Sequence, residues 1–285
     1  DVAMGKITDT GTGFFRIVLP EHLLMVPIGL IISSLLMKNE RHNGWWYFFL
    51  GATLLVLVLN LSRAYALAFV GGLLELKISH AWKRWLTVSC GTLLATVLLF
   101  TSVHFLASRG TSFGWELFGI RVLSVFQPTL EISSYTRMEL LSPIFTMMQK
   151  HPLLGSGLGA TVTFIDPSTN IQVTTPHFDW GYFEMLVELG PLGLVAFLLV
   201  IGFAIFELAQ KIRRADDWHD FYVGLLGGVA AFLIMTLTTP ALFHVFGIVF
   251  LLLVFTVSMK PHTIFDDLIP LLYRIFNRIK KVQQP

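Results

Sequence analysis

Apolar residues run in long blocks almost free of charge, and the charges gather in the short stretches between them. A bilayer core about 30 Å thick needs about 20 apolar residues in a helix. Seven segments answer to that pattern: 17–37, 45–62, 64–78, 85–106, 179–208, 221–239 and 242–259. It predicts an all-α polytopic membrane protein with about seven transmembrane helices. The second and third segments need a decision, because from Trp45 to Leu76 the only charges are Arg63 and Glu75. One long tilted helix is conceivable there.

Charge parity separates the two readings, since Lys and Arg favour cytoplasmic loops. With seven spans, five groups fall on one side: Lys38 and Arg41; Lys77, Lys83 and Arg84; Lys211, Arg213 and Arg214; Lys260; and the tail residues Arg274, Arg278, Lys280 and Lys281. Merging 45–76 into one helix would put the groups on either side of it in opposite compartments. Seven spans with the amino end outside and the carboxyl end inside is the consistent choice. Residues 1–107 then carry helices one to four, 179–259 carry helices five to seven, and 260–285 form a cytoplasmic amphipathic tail on the membrane surface.

That topology leaves residues 108–178 as one large loop on the outer face. Loops this long are uncommon and are functional or disordered, and this one has the marks of structure. Residues 114–127 (GWELFGIRVLSVFQ) predict an interfacial amphipathic helix ending before Pro128. Residues 135–150 predict a second helix, with Thr136 and Glu139 at capping-box spacing. Pro152 and the glycines at 155, 157 and 159 then turn the chain.

Composition sharpens this picture. Of 285 residues, 54% are hydrophobic and 13% charged, and the mean hydropathy is +0.71. A soluble chain of this length has too little interior to hide so much apolar surface. Disordered, collagenous, disulfide-stapled and nucleic-acid-binding classes are excluded. The net charge of +2 names no partner, and the single cysteine, Cys90, reads as a small packing residue.

GSGLGA at 155–160 fits a dinucleotide fingerprint, but it follows a helix and lies in the outer loop. It reads better as a turn that lets backbone approach another surface. The histidines show no metal-ligand spacing; His42, His80, His219 and His262 fall near basic loops, where solvation suffices. Of those near the outer side (His22, His104, His151, His177 and His244), His177 stands out. If helical phase holds from 177, then His177, Glu184 and Glu188 share one stripe with Gly181 beside them. Carboxylates within a span are functional candidates, although Glu188 could equally satisfy donors inside the bundle. Arg63 interrupts a long apolar run, Arg16 stands just outside the first span, and Arg137 is expected on the first turn of the loop helix. A cation there opposes the helix dipole and is better explained by an anionic ligand. Arginine suits bidentate contact with phosphate oxygens, so these residues match an amphiphile carrying a diphosphate at headgroup level.

Two stretches, TRMELLSPIFTMMQKHPLLGSGLGA and PHFDWGYFEMLVELGPLGLVAF, with LNLSRAYALAFVGGLLEL upstream, resemble the O-antigen ligase/polymerase family of bacterial envelope proteins. The resemblance covers about residues 60–200. It implies a membrane glycosyltransferase of the bacterial inner membrane that uses an undecaprenyl-diphosphate-linked glycan donor. The acceptor would be another glycan, a lipid core or a protein side chain. By the same resemblance Arg63 and Arg137 bind the diphosphate and His177 activates the acceptor hydroxyl, with neither metal nor cofactor expected. The family pattern places Asn after the histidine, where this chain has Phe178. Family members carry about a dozen spans, so seven here imply further amino-terminal spans upstream of Asp1. Two rival functions are a transporter of an anionic solute, with Arg63, Glu75, Glu184 and Glu188 along its path, and a scaffold for envelope proteins.

Overall fold

The computed structural model describes residues 5–9, 13–40, 42–124, 126–127, 129, 131–176, 178–214 and 218–259. The tail from 260 onward, expected as an amphipathic surface helix, lies outside the described residues, as does His177.

A short antiparallel hairpin opens the chain, β1 (Lys6–Asp9) against β2 (Phe15–Val18), with Lys6 opposite Val18. A 3-10 turn at Pro20–Leu24 leads into α1 (Met25–Leu36). The expected first span, 17–37, is therefore helical by α geometry only over its last two thirds, because strand pairing and Pro20 occupy its start. Next come α2 (Gly44–Asn60), α3 (Arg63–Leu76) and α4 (Trp82–Ala107). The last three apolar helices are α7 (Gly181–Arg214), α8 (His219–Met235) and α9 (Val245–Met259).

Every predicted apolar segment thus contains a helix, and α2 and α3 are separate. Leu61 takes a left-handed conformation (φ 52°) and closes α2 through its N–H to the carbonyls of Leu57 and Val58, while Ser62 is extended. Among the described residues two helices, α4 and α7, are long and apolar enough to cross a membrane, with hydropathies of 1.9 and 2.5. Shorter apolar helices lie at Pro20–Leu36, Gly44–Asn60, His219–Met235 and Val245–Met259.

The core sits where α1 and α3 pack on α8, with α2, α4, α7 and α9 arranged around them. Val26, Leu30, Leu73, Val223, Leu225 and Phe232 are all buried there. Small residues let the helices approach: a Cβ on Gly224 of α8 would stand 2.6 Å from the Cα of Ile31, the packing mode of helices in lipid. By contrast α4 and α7 turn many of their apolar side chains outward, Leu94, Leu98, Leu199 and Phe206 among them. Cys90 of α4 is exposed with them, so it is not the packing residue expected. So much outward apolar surface requires an apolar surrounding, as a membrane protein has.

At the far end of α3 from Arg63, two histidines expected to be merely solvated are engaged. His80 and His219 both meet Asp220 Oδ1, at 3.1 and 3.2 Å, and the side chain of His80 is buried. Ser34 Oγ donates to the Asp220 carbonyl at 2.6 Å, so this group ties α1, the α3–α4 turn and α8 together.

Between α4 and α7 the long connection is folded, as expected. It contains α5 (Trp115–Leu123), α6 (Ile132–Lys150) and a second hairpin, β3 (Val162–Asp166) with β4 (Ile171–Thr175). α5 buries no residue and presents Trp115, Phe118 and Val122 outward; it stops at Leu123, short of the expected end. α6 starts earlier than expected, at Ile132. Thr136 is inside it, its hydroxyl donating to the Ile132 carbonyl at 2.9 Å, and forms no capping box. The β3–β4 turn is fixed by Asp166, which accepts from the Ser168 N–H at 2.9 Å. That bond, with the Ser168 hydroxyl, holds the Asp166 carboxyl below its usual range. The connection shares a core with α7, built of Leu140, Ile144, Val162 and Phe178 from the connection and Val187 from α7.

Candidate active site

Four arginines from four elements converge where the long connection meets the helices. Arg63 is the first residue of α3, and its guanidinium reaches into the connection. Nη2 lies 2.9 Å from Glu131 Oε2 and donates to Ser134 Oγ at 2.9 Å; Nη1 donates to the Arg121 carbonyl at 3.2 Å and to Ser124 Oγ. Arg121, in the last turn of α5, returns the contact: Nη1 donates to the Leu61 carbonyl at 3.0 Å and lies 3.7 Å from Glu131 Oε1. Arg16 on β2 donates through Nε to the Asn60 carbonyl at 2.7 Å. Its guanidinium pKa is lowered, first by burial and then by the positive charge of Arg121, with Arg137 adding to the effect and Glu131 opposing it. Such mutual influence is the electrostatic signature of one cluster.

Arg137 completes the group from α6. With the helix starting at Ile132, it sits in the second turn rather than the first, so the opposition to the helix dipole is weaker than expected. Its position is set by Trp180, whose indole Nε1 donates to the Arg137 carbonyl at 2.9 Å. Its Nε is 3.9 Å from Asp179 Oδ2. The Nε atoms of Arg121 and Arg137 are both buried without a hydrogen-bond partner among the described residues. Four guanidinium groups thus face two carboxylates, Glu131 and Asp179, and the latter is half exposed. An excess of buried positive charge with unused donors is chemically a receptor for an anion.

The residues on either side of His177 in the sequence are described. Phe178 is fully buried in the core of the connection. Its N–H donates to Glu184 Oε2 at 3.1 Å. The departure from the family's Asn therefore fills a hydrophobic position. Asp179 has a positive φ of 54°, and α7 begins only at Gly181. Residues 178–180 are not helical, so helical phase does not hold across them on the way to Glu184 and Glu188. What Glu184 holds is the backbone N–H of Phe178.

Glu188 does the matching task for the glycine turn. Its Oε1 accepts from the Gly159 N–H at 2.8 Å, and its carbonyl accepts from the Gly157 N–H at 3.0 Å. The turn packs backbone to backbone on α7: a Cβ on Gly155 would stand 2.5 Å from Gly190 N and 2.6 Å from Glu188 O. GSGLGA is thus a close-approach turn. α7 itself breaks at Gly190 (φ 69°, ψ 176°) before Pro191. A bilayer core of about 30 Å needs about 20 residues, which the run after Gly190 supplies alone. Neither carboxylate has to lie in hydrocarbon. Glu188→Ala is expected to lower stability by about 0.5–1.5 kcal/mol, the net worth of a hydrogen bond whose donor residue, Gly159, is exposed. Glu188→Gln, which keeps an acceptor, should lose less; thermal unfolding in detergent reads both.

Two other histidines expected near the outer side are held by packing or hydrogen-bond partners. His104 is buried, stacked on Phe14 at 4.3 Å with Nδ1 on the Phe100 carbonyl. His22 meets Asn60 Nδ2 at 3.0 Å. Sequence reasoning missed Arg121 and Glu131. Arg121 is a routine cation in the last turn of an amphipathic helix, and Glu131 lies before the expected helix start.

A comparison with protein-family models matches residues 47–198 to the family described as O-antigen ligase. That is more than half of the chain. The chain belongs to the O-antigen ligase family. The match runs from α2 into α7 and contains Arg63, Arg121, Glu131, Arg137, His177, Glu184 and Glu188. Arg16 lies outside it. The family is one of bacterial membrane proteins of polysaccharide biosynthesis, and glycosyltransferase-type activity follows from it. Searches among curated proteins and among solved structures return no match.

Proposed function

We propose that this O-antigen ligase family member transfers glycan from an undecaprenyl-diphosphate-linked donor to an acceptor hydroxyl on the outer face of the bacterial inner membrane. In this reading the long connection is periplasmic and the carboxyl end cytoplasmic. The helices cross seven times, with 1–107 and 179–259 as the two membrane parts and 260–285 as the surface tail. The observation that carries it is the convergence of Arg16, Arg63, Arg121 and Arg137 around two carboxylates, the partly buried Glu131 and the half-exposed Asp179, within a chain of this family.

The diphosphate sits on the arginines, Arg137 with its unused donor foremost and Arg63 and Arg16 beside it. His177 takes the proton of the acceptor hydroxyl as general base. The acceptor oxygen forms a bond to the anomeric carbon as the bond to the diphosphate oxygen breaks, and undecaprenyl diphosphate leaves with its charge neutralised by the arginines. In-line displacement inverts the anomeric centre. Glu184 and Glu188 act as supports, fixing the chain beside His177 and the glycine turn. Charge neutralisation by guanidinium groups needs neither metal nor cofactor. The acceptor is another glycan repeat, a lipid core or a protein side chain.

Deleting the parent gene in its host and running the surface polysaccharide on a gel tests this. Chains collapsing to a single repeat identify a polymerase, and intact chains stranded on the lipid carrier identify a ligase. An unchanged gel, or full rescue by His177→Ala, would overturn the reading in favour of anionic-solute transport.

A further inference from the structure

Glu131 is the odd member of the arginine cluster. It is the N-cap residue of α6, where an acidic side chain ordinarily accepts from a first-turn N–H, yet it makes no such bond. Its carboxylate turns away from the helix to Arg63 Nη2 at 2.9 Å, accepts from Ser124 Oγ at 3.1 Å and approaches Arg121 Nη1 at 3.7 Å. The helix start thus forgoes a stabilising cap worth about 1 kcal/mol so that a carboxylate can lie between two guanidinium groups. Arg121, whose Nε atom is buried and has no hydrogen-bond partner among the described residues, has donor capacity that Glu131 does not use.

We infer that Glu131 is an internal counter-ion that competes with the substrate's diphosphate for Arg63 and Arg121, and that Arg121 is a fourth diphosphate-binding residue. The inference rests on the diphosphate reading of the site and deepens it. Without ligand, the carboxylate offsets the mutual repulsion of the arginines. A diphosphate, with more charge and more acceptor oxygens, takes its place; after transfer the carboxylate returns and helps to expel the leaving diphosphate. Binding strength is thereby set below what the arginines alone would give.

The test is titration calorimetry of the detergent-purified full chain with inorganic pyrophosphate. Glu131→Gln keeps an acceptor for Ser124 and removes the charge; it is expected to tighten pyrophosphate about tenfold, a change of about 1.4 kcal/mol. Arg121→Ala is expected to weaken it by at least as much. Should Glu131→Gln lower intrinsic stability, the rise in melting temperature caused by pyrophosphate still exceeds that of wild type. Wild-type binding that Arg121→Ala weakens and Glu131→Gln leaves unchanged or weaker would overturn the counter-ion role and spare the diphosphate site. Absence of pyrophosphate binding by every form would overturn the site itself. Undecaprenyl diphosphate in micelles should displace pyrophosphate; failure to do so would overturn a lipid-borne source and leave the competition with a soluble diphosphate standing.

Discussion

Replacing His177 with alanine is expected to lower the transfer rate by about 10²–10⁴-fold, the usual contribution of a general base, with donor binding close to wild type. An acceptor hydroxyl is a poor nucleophile while it holds its proton, and the loss is therefore felt in the chemical step. The donor is held by the arginines, which this substitution leaves in place. The structural setting predicts a further split. Phe178 is anchored by its burial and by Glu184, so removal of an imidazole next to it should leave the fold intact. Steady-state transfer by purified protein, with donor affinity measured separately, checks this. Wild-type turnover by His177→Ala would remove the assignment.

Arg137→Ala has the second large expected effect, on donor affinity. Truncating one partner of a buried charge-assisted contact costs about 2–5 kcal/mol, which is roughly 30-fold or more in dissociation constant. Among the described residues the partners of Arg137 in the cluster are weak: a distant contact to the half-exposed Asp179 and an Nε without an acceptor. Its charge is the one most available to a ligand. Arg63 is different, because Glu131, Ser124, Ser134 and the Arg121 carbonyl already occupy its donors. Arg63→Ala should therefore perturb the seating of α5 and α6 as well as the donor, and a binding defect there would be mixed. Arg137→Lys should recover little, since a point charge does not reproduce the planar fork. Unchanged donor affinity in Arg137→Ala would count against the arginine site.

The apolar helices were legible in the sequence because membrane insertion imposes long unbroken apolar runs, and the break at Arg63 was legible from charge alone. Both hairpins escaped, although Thr163 to Thr175 is a β-branched run around a Pro-Ser-Thr-Asn turn; a search for spans favours long blocks over short alternation. Arg63 and Arg137 were visible because a cation at an apolar or dipole-opposed position is costly. Arg121 was not, because a cation at the end of an amphipathic helix is ordinary, and only its contacts with Glu131 and the Leu61 carbonyl distinguish it. The carboxylates at 184 and 188 were visible for a reason the structure changes. They precede the break at Gly190 and hold backbone N–H groups of Phe178 and Gly159, an arrangement fixed by tertiary approach and absent from any helical periodicity.

The central claim is that the chain carries out transfer from a diphosphate-linked lipid. Purified protein in lipid nanodiscs, given a labelled undecaprenyl-diphosphate glycan and an acceptor, tests it most directly when glycosylated acceptor and released undecaprenyl diphosphate are counted together. Equal appearance of the two, abolished by His177→Ala and suppressed by Arg137→Ala, is the predicted result. Neither product forming with any of the glycan, lipid-core or protein acceptors, or both forming equally well without His177 and Arg137, would contradict the account.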